Sequence, residues 1–142
     1  MNVMLQSTPT MAEQIAQAAT AFQQQRTGHV PKSVSVVIDG DTLVVTLRGA
    51  LSPAEQALAQ SEEGAAKVQE FHKQLFLTAS ETLRKEIKRI TGVEVREATT
   101  EVDPKTGVVV QAFKTGTMVQ VFLLAKSLSP EKWNGDGSEG PA

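Results

Sequence analysis

The chain has 142 residues, close to the commonest size for a single domain, and its 40% apolar residues suffice for a folded core. A net charge of -2, from 14 basic and 16 acidic residues, supplies no global field to hold a polyanion or an anionic bilayer, so no nucleic-acid partner is expected. Zero cysteines exclude disulfides, thiolate metal sites and cysteine nucleophiles.

Residues 1–9 read as a flexible N-terminus with neither the basic region nor the apolar run of a signal peptide. Thr10-Met11-Ala12-Glu13 is a Thr-x-x-Glu capping box, and Met11, Ile15, Ala18 or Ala19, and Phe22 recur at helical spacing until Gly28 and Pro31 stop the helix. Ser33–Asp39 and Thr42–Arg48 are β-rich runs joined at Asp39-Gly40-Asp41, a tight hairpin signal. Their alternation puts Val34, Val36 and Ile38 on one face with Leu43, Val45 and Leu47. Ser52-Pro53-Ala54-Glu55 starts a second, short helix through about Gln60, with Pro53 at its first turn and Glu55 completing another capping box. A bend follows at Ser61–Gly64.

Ala65–Thr91 reads as one long helix closed by Gly92. Placed at 100° intervals, Val68, Phe71, Leu75, Ala79, Leu83 and Ile90 form its apolar stripe, with Phe76 and Ile87 along the edge. The remainder is β: Val93–Val102, Val108–Phe113 and Thr117–Ala125, with turns at residues 103–107 and around Thr115-Gly116. In the last strand Val119, Val121 and Leu123 face one way and Met118, Phe122 and Leu124 the other. Two apolar faces call for cover on both sides, and a second copy of the chain is the expected cover for the side away from the helices, the alternative being that the first helix wraps round to it. From residue 128 the composition turns to Gly, Pro and polar residues, which predicts a disordered tail over 128–142. The expected fold is therefore α+β, in the order α-β-β-α-α-β-β-β. A mainly antiparallel sheet of four or five strands packs on one long and one or two shorter helices, all in a single domain over residues 10–127.

Chemistry is sparse. His29 and His72 stand far apart with no accompanying ligand pattern, so no metal and no cofactor are expected. Phosphate-binding, nucleophile-elbow and metalloprotease motifs do not occur, and an enzyme would need a site without a signature. His72 and Glu86 intrude on the long helix's stripe, and burial of either demands a partner; they are candidate binding residues, against the plainer reading that His72 meets a backbone carbonyl and Glu86 sits at an exposed helix end. The basic side of the same helix, six Lys or Arg against three Glu, reads as a solvated face. Leu77 on that polar side, and Trp133 in the tail, are candidate partner contacts.

Arg48-Gly49-Ala50-Leu51-Ser52-Pro53-Ala54-Glu55-Gln56-Ala57-Leu58-Ala59, followed by Glu62-Glu63-Gly64, resembles the motif of the MpsC-like family, small bacterial domains of unknown function. Gly40-Asp41-Thr42-Leu43, Ile90-Thr91-Gly92-Val93 and the closing strand around Val121-Phe122 extend the likeness over about residues 12–125. The family closes with one hairpin, whereas this chain has two Thr-Gly pairs, at 106–107 and 115–116. The resemblance implies association with a membrane-potential-generating, cation-translocating system linked to inorganic-carbon uptake, and brings no catalytic residues. It points to a cytoplasmic accessory or regulatory module, homodimeric, peripheral to a membrane complex and not itself inserted. At the motif, Ser52, Pro53 and Glu55 read as capping residues and Arg48 as a candidate anion-binding group, which makes a small-ligand sensor the alternative.

Overall fold

The computed structural model describes residues 9–100 and 118–134. Helix α1, Met11–Thr27, starts where the sequence sets its cap: Thr10 Oγ1 accepts from the Glu13 amide at 3.1 Å and Glu13 Oε1 accepts from the Thr10 amide at 2.9 Å. It ends at Gly28, whose φ of +79° suits a residue without a Cβ. Strands β1, Ser33–Asp39, and β2, Thr42–Arg48, form the expected hairpin about Gly40 and Asp41, with Gly40 at φ +65°. Helix α2, Pro53–Leu58, and the long α3, Glu62–Thr91, follow, separated at Ser61, which caps α3. Strand β3, Val95–Thr100, β4, Met118–Leu124, and a short helix α4, Pro130–Asn134, complete the described chain.

All neighbouring strands are antiparallel, in the order β1-β2-β4-β3. The two-layer α+β architecture read from the sequence is the one observed; the expected strand at Val108–Phe113 lies outside the described residues. Both α1 and α3 cover the same sheet face. Ile15, Ala19 and Phe22 of α1 share one core with Phe76, Leu83 and Ile87 of α3 and with Leu43, Val45, Leu47 and Phe122 of the sheet. Phe76 touches Phe22 edge-on at 6.4 Å between ring centres and Phe122 at 5.8 Å, so one ring ties both helices to the strand layer.

This arrangement moves the buried stripe of α3. It runs through Val68, His72, Phe76, Leu83 and Ile87, and Phe71, expected inside, is 50% exposed. The cause is α1: with a second helix alongside, α3 turns Phe76 between helix and sheet, and the ridge through Phe71 rotates outward.

The two faces of β4 separate as the alternation requires. Met118, Gln120, Phe122 and Leu124 point into the core, while Val119, Val121 and Leu123 are half-buried on the far side. The alternative in which α1 wraps to that far side is not what forms, since α1 lies with α3. Among the described residues no helix packs there, and Val37, Val44 and Val121 form an apolar row across three strands.

The predicted disorder also needs correction over residues 128–134, while residues 135–142 lie outside the described residues. Leu128 is buried, its amide donates to the Gly40 carbonyl at 3.2 Å, and Ser129 caps α4. Trp133 packs against the core beside α1. An apolar residue at 128 and an indole at 133 give this short segment enough surface to dock despite its polar neighbours.

Candidate functional site

The segment from Arg48 to Gly64, the most distinctive of the sequence, forms the elbow that carries the chain from β2 into the helices. Gly49 has φ +64°, and a Cβ there would meet the Lys32 side chain at 2.6 Å. Its carbonyl lies 3.0 Å from His29 Nε2. Ala50 and Leu51 are completely buried and anchor the elbow. Ser52 then caps α2, accepting from the Glu55 amide at 3.2 Å, while Glu55 Oε1 accepts from the Ser52 amide at 2.9 Å and from its hydroxyl at 3.1 Å. At the far end Gly64 is required by contact: an added Cβ would lie 1.8 Å from the Leu58 carbonyl oxygen.

The capping box leaves the second carboxylate oxygen of Glu55 available, and it meets His72. His72 Nε2–H donates to Glu55 Oε2 at 2.8 Å, with the imidazole 1% exposed and the carboxylate 20% exposed. Burial acts to raise the Glu55 pKa; the Ser52 amide, the charge and hydrogen bond of His72 and the Ser52 hydroxyl outweigh it, so the group titrates below the ordinary 4.5. His72 thus finds a carboxylate on another helix rather than a backbone carbonyl. In a nucleophilic triad the imidazole stands between hydroxyl and carboxylate. Here the carboxylate stands between Ser52 and His72, so the order of a nucleophilic triad is not reproduced. The three groups tie the start of α2 to α3.

The other sequence candidates lie apart from this pair. Arg48 is exposed and donates through Nη1 to Ser35 Oγ of β1 at 3.2 Å, while the first turn of α2 is already satisfied by Ser52 and Glu55. Glu86 sits at the helix surface rather than inside the stripe, held by Arg89 through bonds of 2.8 to 3.3 Å. The Arg89 hydrogen bond, outweighing a small effect of burial and aided by the guanidinium charge, lowers its pKa. Leu77 is 52% exposed and Trp133 half-buried. Among the described residues no group of three or more His, Cys, Asp or Glu converges to hold a metal ion.

Sequence reasoning missed the Glu55–His72 contact, which joins residues 17 positions apart on two helices. Its available signal was that a capping-box glutamate uses one oxygen and leaves the other free. Also missed was the seam between α3 and β3, where Arg84 Nη2 donates to the Val95 carbonyl at 2.8 Å and Lys88 pairs with Glu94 at 2.6 Å.

The elbow, the long capped helix and the antiparallel sheet all fall within a family match over residues 7–125, to the family described as Na+-translocating membrane potential-generating system (MpsC). The chain belongs to the MpsC family. It is also 30% identical over 111 residues to the uncharacterized protein YbcI of Bacillus subtilis (strain 168), an alignment covering 78% of this chain and 90% of the relative. No solved structure matches significantly. Seen in the fold, the family-like residues of the elbow are structural: Gly49 and Gly64 allow close approach, Ala50 and Leu51 fill the core, and Ser52 and Glu55 cap and tie. None of the described helices is long and apolar enough to cross a membrane.

Proposed function

We propose that this MpsC family member is a non-enzymatic accessory module of a membrane-potential-generating, Na+-translocating system, acting from the cytoplasmic side as a homodimer. The observation that carries this reading is the open sheet face. Val37, 59% exposed, and the half-buried Val44, Val119, Val121 and Leu123 form an apolar surface bordered by Thr42, Thr46 and Ser35, and no described helix covers it. Contiguous apolar surface of this kind is the mark of an interaction site. The family description, a Na+-translocating membrane potential-generating system, supports taking the membrane-embedded subunits of such a system as the partner. The polar groups buried at the elbow are consumed by helix capping and helix docking, which supports binding rather than turnover as the task. A link to inorganic-carbon uptake belongs to the same proposal.

The test is retention of those subunits from a detergent extract by the immobilised full chain and by a Val121→Lys variant. The substitution places a charge at the centre of the face while leaving the core side of β4 intact. Retention by the native chain and its loss in the variant is the expected outcome; equal retention by both contradicts the assigned surface.

A further inference from the structure

We infer that two copies of this chain join through the open edge of β1, antiparallel about a twofold axis at Val36, so that their four-stranded sheets become one continuous sheet. The inference gives the homodimer of the functional reading a specific interface.

The strand is an edge, and its burial shows it. Val34, Val36 and Ile38 point to the same side as Leu43, Val45 and Leu47 of β2, yet the β2 residues are fully buried and the β1 residues only half. The hydrogen-bond parity of the sheet says which backbone groups remain open. The Leu124 amide donates to the Asp41 carbonyl at 2.8 Å, so odd-numbered residues of β2 bond toward β4 and even-numbered ones toward β1. Their partners in β1 are Ser33, Ser35, Val37 and Asp39. The N–H and C=O groups of Val34, Val36 and Ile38 therefore point out of the sheet.

The two edges are built differently. Strand β3 is blunted in the usual ways, with a register shift between Val95 and Glu97 and charged Arg96 and Glu97 along it. Strand β1 has no proline, no basic residue and no bulge; its register with β2 is unbroken over seven pairs. Such an edge is a template for another strand.

Its own sequence is a fitting complement. Antiparallel pairing about Val36 opposes Val36 to the partner's Val36 and Val34 to the partner's Ile38, and each outward-facing pair exchanges two hydrogen bonds. Apolar residues then meet apolar residues along the helix side. The strand enters at Lys32 and leaves at Asp39, both exposed and neither ion-paired among the described residues. In that register Lys32 falls opposite the partner's Gly40, at the end of the strand that carries the partner's Asp39, so the two ends of the paired strands bring charges of opposite sign into the same neighbourhood. Above this edge, a groove lined by Ala16, Gln17, Thr20, Ala21, Gln24 and Val34 runs along α1. The small residues there leave room for the partner's α1 to approach. The pairing also merges the two outer faces into one, with each Val37 next to the axis.

Because the chain contains no cysteine, cross-linking reads the interface directly. In the proposed register residue 35 opposes the partner's residue 37 at a non-hydrogen-bonded pair on the exposed outer face, within disulfide reach. Light scattering of the full chain is expected to give twice 15.2 kDa. The double variant Ser35→Cys/Val37→Cys, treated with diamide as oxidant, is expected to run as a reducible dimer on a denaturing gel, while Val121→Cys does not cross-link. Val36→Pro removes one outward N–H that no hydrogen bond among the described residues uses, and is expected to stay folded by circular dichroism and weaken self-association about tenfold or more. Cross-linking through Val121→Cys instead places the dimer at the sheet face and overturns the inference, as does a native chain that is monomeric at high micromolar concentration. A monomer that still retains the membrane subunits refutes this interface alone, whereas a cross-linked dimer that retains nothing refutes the functional reading alone.

Discussion

Gly64→Ala separates two opposite expectations. Gly64 lies in the first turn of α3, where helix propensity alone makes alanine better than glycine by about 1 kcal/mol. The elbow predicts the reverse. An added Cβ would stand 1.8 Å from the Leu58 carbonyl oxygen, and to regain the 3.0 Å that real contacts keep, that carbonyl must retreat by about 1.2 Å. The atom is backbone, at the last residue of α2, so it cannot swing away as a side chain tip would. A shift of that size carried to Glu55 stretches its 2.8 Å bond with His72 beyond hydrogen-bonding range. Overpacking costs about 1–3 kcal/mol and the loss of a charged hydrogen bond about 1.5–3 kcal/mol. After subtracting the propensity gain, a destabilisation of about 1.5–5 kcal/mol remains, or about 6–20 °C in Tm for a chain of this size. Urea and thermal unfolding followed by circular dichroism measure it. Gly92→Ala is the comparison: φ is +79° but nothing lies within 4 Å, so only the left-handed backbone strain of about 1–2 kcal/mol is expected. A Gly64→Ala variant as stable as the native chain, or more so, would refute the close approach at the elbow.

The Glu55 carboxylate contributes stability that is fully present above its unfolded pKa of about 4.5 and is lost as pH falls through its lower folded value. Urea midpoints between pH 6 and pH 3 should therefore fall less steeply for Glu55→Gln than for the native chain, and parallel curves would contradict the depressed pKa. Truncation after Ser127 removes buried Leu128 and the docked Trp133, and should cost about 2–4 kcal/mol by urea unfolding, against no change if the segment were solvated. The emission of Trp133, the only tryptophan, should shift to the red on unfolding; a spectrum already matching free indole in the native protein would exclude its docking. Arg48→Ala should change stability by no more than about 0.5 kcal/mol, because it removes one exposed side-chain contact.

The parts of this fold that were legible in the sequence are those fixed by neighbours along the chain. The boxes at Thr10/Glu13 and Ser52/Glu55, the glycine stops at Gly28 and Gly92 and the Gly40 turn each act within a few residues, and each appears as read. The rotation of α3 was not legible, because Phe71 and Phe76 are equally apolar and the choice between them is made by Phe22 on another helix. Nor was the insertion of β4 between β2 and β3, which depends on pairing across the chain. The Glu55–His72 bond belongs to the same class: periodicity marked His72 as a buried polar group in need of a partner, but only the folded elbow brings that partner. Composition alone predicted a loose tail from residue 128, whereas two apolar side chains at the right spacing hold it through Asn134.

Whether this chain serves a Na+-translocating system by binding through its open sheet face is decided by quantitative retention of that system's membrane subunits. Immobilised native chain and Val121→Lys would be exposed to the same detergent extract and the bound subunits counted by mass spectrometry. Retention by the native chain should fall about tenfold or more when one charge stands at the centre of the face, as for loss of a hot-spot contact. Retention that is absent in both, or equal in both, would contradict binding through this face.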